Sequence, residues 1–146
     1  MAFGLSYWHW FFLAQPYDLP ERLLATAPEK TPFRGGSDVI TPEAMEEYVR
    51  CLRDPETIHA TCEDYRAAAT LDYEHDKADF EAGRRMACPV LVLWGRKGFL
   101  EGHYDVLEVW RGWAEEVRGR ALDCGHYIPE ETAEETYAEL RAFIGE

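Results

Sequence analysis

The stretch "CPVLVLWG", residues 88–95, limits the possible architectures of this chain more than any other. It is a continuous apolar run of valine and leucine, opened by a proline and closed by a glycine. A strand with one face in water would alternate apolar and polar residues. An unbroken run predicts a strand buried on both faces of a parallel sheet. After a glycine-containing loop, Val106, Val109, Trp110, Trp113 and Val117 recur at helical spacing and predict one amphipathic helix, with Trp110 and Trp113 in its core stripe. A short second strand is expected at "RALDC", residues 120–124, running into Gly125-His126. The last helix is expected to open with a capping box, Thr132-x-x-Glu135, and to bury Ala133, Tyr137, Leu140 and Ile144 before Gly145 closes it. The order β-α-β-α is the repeating unit of an α/β fold. Two parallel strands do not make a sheet with neighbours on both sides of the apolar run. The expectation is therefore a larger sheet whose earlier strands lie upstream of Met1.

The first half reads as helices joined by proline-marked loops. Pro16, Pro20, Pro28 and Pro32 make residues 15–38 mostly turn and short helix. Thr41-Pro42 supplies an N-cap with proline at the first helical position. Met45, Tyr48, Val49 and Leu52 follow at the spacing of one buried helix face. Asp54-Pro55 ends that helix and starts another, through Ile58, Cys62 and Tyr65 towards Leu71. The charged run "DYEHDKADFEAGRR" then reads as a solvated connection to the second half.

Charge and cysteine usage exclude several classes of function. With 28 acidic against 15 basic residues, the net charge of −13 disfavours nucleic acid and anionic membrane as partners, since both need a positive surface. No stretch approaches the roughly 18 apolar residues of a spanning helix, and no basic region precedes an apolar one at the N-terminus. The four cysteines contain no C-x-x-C pair, which suits reduced thiols in a cytoplasmic protein. His59-x-x-Cys62 would share one side of a helix near Glu63, His75 and Asp76, but no second close Cys or His pair completes a zinc set. No metal and no cofactor are expected.

His126 follows a strand directly, behind a glycine, and precedes a Pro-Glu-Glu helix start. Catalytic groups of open α/β sheets gather beyond the carboxyl ends of the strands, where a histidine can serve as a general base. On position alone, a loop histidine without a task remains the other reading. At the start of the chain, "SYWHWFFLAQP" places His9 and Trp10 among aromatic rings. From the residues alone this is an aromatic packing cluster, with Phe11, Phe12 and Leu13 as packing residues.

The pair "LVLWG" and "CGHYIPEE" resembles the end of an α/β-hydrolase. "SYWHWFFLAQPYDLPERLL", "CEDYRAAATLDYEHDKAD" and "GHYIPEE" together closely resemble haloacetate (fluoroacetate) dehalogenases over nearly the whole chain. The resemblance implies the C-terminal part of an α/β-hydrolase fold, its last two parallel strands with their helices at residues 86–146. Residues 1–85 would be most of a helical cap domain. It also implies hydrolytic dehalogenation of a small halocarboxylate through an aspartyl ester, with His126 activating water and His9, Trp10 and Tyr65 donating hydrogen bonds to the departing halide. A homodimer would be the expected assembly. The resemblance also leaves gaps. The family's nucleophilic aspartate, its carboxylate-binding arginines and its triad acid match nothing here and would precede Met1. Gly98 stands where many α/β-hydrolases carry the acid after "LWG", leaving Glu101 and Asp105 as the nearest carboxylates. The segment "TPFRGGSDV" lacks the tunnel-lining tryptophan expected nearby. Two other readings stand beside this one: an epoxide hydrolase or other cap-bearing hydrolase with Tyr65 as proton donor, and a non-catalytic remnant or partner-binding piece.

Overall fold

The valine-leucine run forms strand β1 (Val90–Gly95), as its composition predicts. In this computed structural model, which describes residues 2–30 and 38–145, β1 pairs in parallel with β2 (Val117–Leu122). The register sets Val90 against Val117 and Gly95 against Leu122, so the carboxyl ends of both strands lie level. Gly119 permits the close approach at the centre of the pair. Its φ is +155°, and a Cβ there would stand 1.8 Å from the Val92 carbonyl oxygen. Among the described residues these two strands are the whole sheet, and Leu91, Leu93 and Trp94 are only half-buried.

The chain divides into two compact units, residues 1–77 and 78–146. The first is helical: α1 (Ala2–Ser6), α2 (Trp8–Leu13), α3 (Leu19–Thr26), a 3-10 turn (Pro28–Lys30), α4 (Pro42–Leu52) and α5 (Pro55–Ala69). Helix α6 (Leu71–Glu81) carries the boundary. The core of the first unit is Leu13, Leu24, Ile58 and Cys62, drawn from α2, α3 and α5, with Phe12 and Tyr65 packed against it. The expected starts of α4 and α5 are present. The Thr41 hydroxyl accepts from the Ala44 amide at 3.3 Å, and the Asp54 carboxylate accepts from the Glu56 amide at 2.9 Å. Val49 is buried on α4, and Met45, Tyr48 and Leu52 are half-buried beside it. Phe11 is exposed and lies outside this core, its ring meeting Phe3 of α1 edge to face at 6.4 Å. The charged run after Thr70 is a helix and not a plain connection, although α6 buries none of its residues. Most of "TPFRGGSDV" lies outside the described residues.

In the second unit β1 and β2 are joined through α7 (Val106–Arg111) and followed by α8 (Ile128–Glu131) and α9 (Ala133–Ile144). The helix foreseen over 106–117 stops at Arg111, capped by Gly112, and Val117 belongs to β2. Strand pairing with β1 outweighs the helical spacing, so β2 begins three residues earlier than the foreseen 120 and only Val106 of α7 is buried. Trp110 is exposed, while Trp113 packs on Phe80 with ring centroids 5.1 Å apart. The capping box does not form. The Thr132 hydroxyl donates to the Ile128 carbonyl at 3.1 Å, and Glu135 pairs with Arg120 at 2.7 Å. Finally, α9 buries Thr136, whereas Tyr137 is 63% exposed and Ile144 77%. Nothing among the described residues covers that apolar stripe. Across the described residues, no helix is long and apolar enough to cross a membrane.

Candidate active site

His126 sits on the short loop between β2 and α8, four residues beyond Leu122, since β2 ends two residues before the foreseen Cys124. The loop is held by backbone on one side. The Arg96 amide donates to the Leu122 carbonyl at 2.8 Å, and the Lys97 amide donates to the Cys124 carbonyl at 2.9 Å. Gly95 lets the two chain segments touch, since a Cβ there would lie 1.7 Å from the Gly125 carbonyl oxygen. On the other side stands a carboxylate that the sequence does not single out. The Gly125 amide donates to Glu131 Oε2 at 2.6 Å, and the Tyr127 amide donates to Glu131 Oε1 at 3.0 Å. Glu131 thus accepts from the backbone amides of both residues next to His126. The His126 side chain is exposed, with its ring 5.1 Å from that of Tyr127, edge to face. Among the described residues its imidazole nitrogens have no hydrogen-bond partner. Burial, and then the charges of Glu130 and Glu131, push the Tyr127 hydroxyl above its ordinary pKa.

The carboxylates nearest the end of β1 have other work. Glu101 accepts from the Trp94 indole N–H and faces Arg96 at 3.8 Å. Asp105 caps α7 by accepting from the Glu108 amide at 3.0 Å. Neither contacts His126 among the described residues of the second unit.

In the first unit the structure brings His9, Trp10 and Tyr65 together. The Tyr65 ring lies 6.3 Å from the His9 ring and 6.1 Å from that of Trp10, both edge to face. Phe3 and Tyr7 also pack on Trp10, at 5.6 and 5.4 Å, and Tyr7 lies 6.0 Å from His9. Among the described residues, the Trp10 indole N–H and the Tyr65 hydroxyl make no hydrogen bond, and Trp10 is 45% exposed. Both are donors, and the indole can only donate. Burial, then the charge of Asp64, raises the Tyr65 hydroxyl above its ordinary pKa, which keeps it protonated.

Arg66, the neighbour of Tyr65, locks α5 to the α2–α3 connection. It donates to the carbonyls of Gln15 at 2.9 Å and Tyr17 at 2.8 Å, and to the carboxylates of Glu21 at 2.7 Å and Glu63 at 2.5 Å. Tyr17 needs such support, since its φ is +69°. The Arg66 guanidinium lowers the Glu21 carboxyl to about 2, with a lesser contribution from His59. His59 therefore gathers with Glu21 and Glu63, their ligand atoms within 4.8 Å, and not with Cys62, whose thiol is in the core. Arg66 already supplies the positive charge those carboxylates need.

Sequence reasoning missed Glu131, Arg66 and Gly95. Glu131 is five residues after His126, a separation that carries no periodic signal. Arg66 lies in the quoted "CEDYRA" but answers to partners far away in sequence.

No family profile matches the chain. It is 36% identical to a fluoroacetate dehalogenase of Burkholderia sp over 97% of its own length and 48% of that protein's. A crystal structure from Nostoc sp PCC 7120, described as an alpha/beta hydrolase, superposes with TM-score 0.91 at 47% identity, covering 99% of this chain and 51% of that one. A structure from Pseudomonas aeruginosa described as an epoxide hydrolase gives TM-score 0.88 at 44% identity, covering 99% and 50%. The chain spans about half the length of each of these proteins. By this likeness, together with its parallel strand pair, the chain has the fold of the C-terminal part of a protein of the α/β-hydrolase superfamily.

Proposed function

We propose that this chain is the histidine-bearing part of a hydrolase that cleaves the carbon–halide bond of a small haloacetate, with residues 1–85 as helical cap and 86–146 as part of the core. One observation carries the reading: His126 is exposed on a clamped loop at the carboxyl end of β2, level with the end of β1. The 36% identical fluoroacetate dehalogenase supports the substrate class. An aspartate carboxylate, matched by no residue of these 146, attacks the substrate's α-carbon. The carbon–fluorine bond breaks and its electron pair leaves as fluoride. His126 then takes a proton from water, whose oxygen attacks the aspartyl ester, releasing glycolate and restoring the carboxylate. The proton passes from His126 to solvent. His9, Trp10 and Tyr65 donate hydrogen bonds to the charge developing on the halide.

The test is a chimera in which this chain replaces the matched half of the Burkholderia relative. Fluoride release from fluoroacetate is expected, and none from the 146-residue chain alone. In the chimera His126→Gln should halt turnover after one fluoride per site and leave an aspartyl ester visible by mass spectrometry. Absence of fluoride release by a folded chimera refutes the substrate class, and absence of the trapped ester refutes the role of His126.

A second reading, epoxide hydrolysis, is favoured by the protonated Tyr65 hydroxyl, which has no hydrogen-bond partner among the described residues, and by the Pseudomonas neighbour. Turnover of a small epoxide by the same chimera, lost in Tyr65→Phe, would decide for it.

A further inference from the structure

We infer that Glu131 is the positioning residue of His126. The inference rests on the proposed role of His126 in hydrolysing the ester. One carboxylate accepts from the amides on both sides of the histidine, at 2.6 Å from Gly125 and 3.0 Å from Tyr127. Two charge-assisted hydrogen bonds from alternate peptide groups fix the orientation of the peptide between them, and so the direction of the His126 Cα–Cβ bond. The geometry is built to admit this carboxylate. A Cβ on Gly125 would fall 2.9 Å from Glu131 Oε1 and 3.1 Å from Oε2, so only glycine leaves the oxygens their place. The opposite side of the loop is fixed by the contact of Gly95 with the Gly125 carbonyl. Glu131 is itself anchored. Its amide donates to the Tyr127 carbonyl at 2.8 Å. The hydroxyls of Thr132 and the buried Thr136 both donate to the Ile128 carbonyl, tying α8 to the start of α9.

The usual means of orienting a catalytic histidine is a carboxylate on its ring. In this unit the ring has no such partner among the described residues, while its backbone is held at both neighbours. Glu131 thus acts through the main chain, and a carboxylate elsewhere can orient the ring independently.

The inference predicts a specific kinetic pattern in the chimera. Removing both acceptors with Glu131→Ala should slow hydrolysis of the ester at least about tenfold, as expected for a misplaced catalytic group. Formation of the ester and KM should stay near the parent values, so ester accumulates in the steady state. Glu131→Gln keeps one acceptor oxygen and should fall between Glu131→Ala and the parent. Amide exchange at Gly125 and Tyr127 should accelerate in both variants. A merely structural role would lower folded fraction, ester formation and ester hydrolysis together, without accumulation. If Glu131→Ala does not fold, the isosteric Glu131→Gln carries the test. Hydrolysis at the parent rate in a folded Glu131→Gln or Glu131→Ala variant, with His126→Gln still trapping ester, overturns the role of Glu131 alone. Failure of His126→Gln to trap ester overturns the reading beneath it.

Discussion

Gly95 shows how much one missing side chain decides. Its Cα faces the Gly125 carbonyl so closely that any Cβ would overlap it, and backbone cannot yield as a side-chain tip can. Gly95→Ala is therefore expected to cost about 1–3 kcal/mol, the usual range for overpacking, and to move the His126 loop. Denaturant unfolding measures the first effect, and His126 amide exchange the second. At Glu21 the residue scale also predicts a pH dependence. Its carboxyl is held at about 2 by Arg66, against 4.5 when unperturbed, so the folded state binds the proton less readily than the unfolded chain. The contribution to stability is complete above pH 4.5 and is lost as pH falls towards 2. Glu21→Gln should flatten that part of the stability curve and leave the neutral-pH fold intact but weaker, by on the order of 1–2 kcal/mol. An unchanged acid limb in Glu21→Gln would show that Arg66 does not set the Glu21 carboxyl.

Among the elements, helix starts separate what local chemistry controls from what it does not. Thr41 and Asp54 both precede a proline, and both cap as expected. Thr41→Ala should cost about 0.5–1 kcal/mol, measured by thermal unfolding. Thr132 has equally good local chemistry but serves differently, because Glu131 occupies the turn before it and Arg120 of β2 draws Glu135 away at 2.7 Å. The same competition shortened α7. Val117 has the right spacing for the helix, yet its pairing with Val90 places it in β2. The start and length of β1 were legible because an unbroken apolar run needs no partner to be recognised. The start of β2 was not, because "VRGRAL" becomes a strand only beside β1.

At the scale of the whole molecule, the two-stranded sheet leaves β1 half-buried, and α9 exposes Tyr137, Leu140 and Ile144 along one stripe. Unpaired strand edges and apolar stripes of this kind favour association. The 146-residue chain alone is expected to self-associate or unfold without cooperativity, as seen by analytical ultracentrifugation over a concentration series. A monomer that unfolds reversibly and cooperatively would contradict this.

Local residue order suffices for β1, the helical character of the first half, the capped starts of α4 and α5 and the place of His126 on the loop after a strand. Each follows from residues adjacent along the chain: an apolar run, a cap followed by proline, a glycine before a histidine. The meeting of His9 and Trp10 with Tyr65, and the joining of α5 to Gln15, Tyr17 and Glu21 by Arg66, came from packing. It alone also placed Glu131 and Gly95 on either side of the His126 loop. Those contacts depend on where separate segments come to rest. A carboxylate has no preferred partner in sequence, and it accepts from whichever amides the packing of α8 brings within reach.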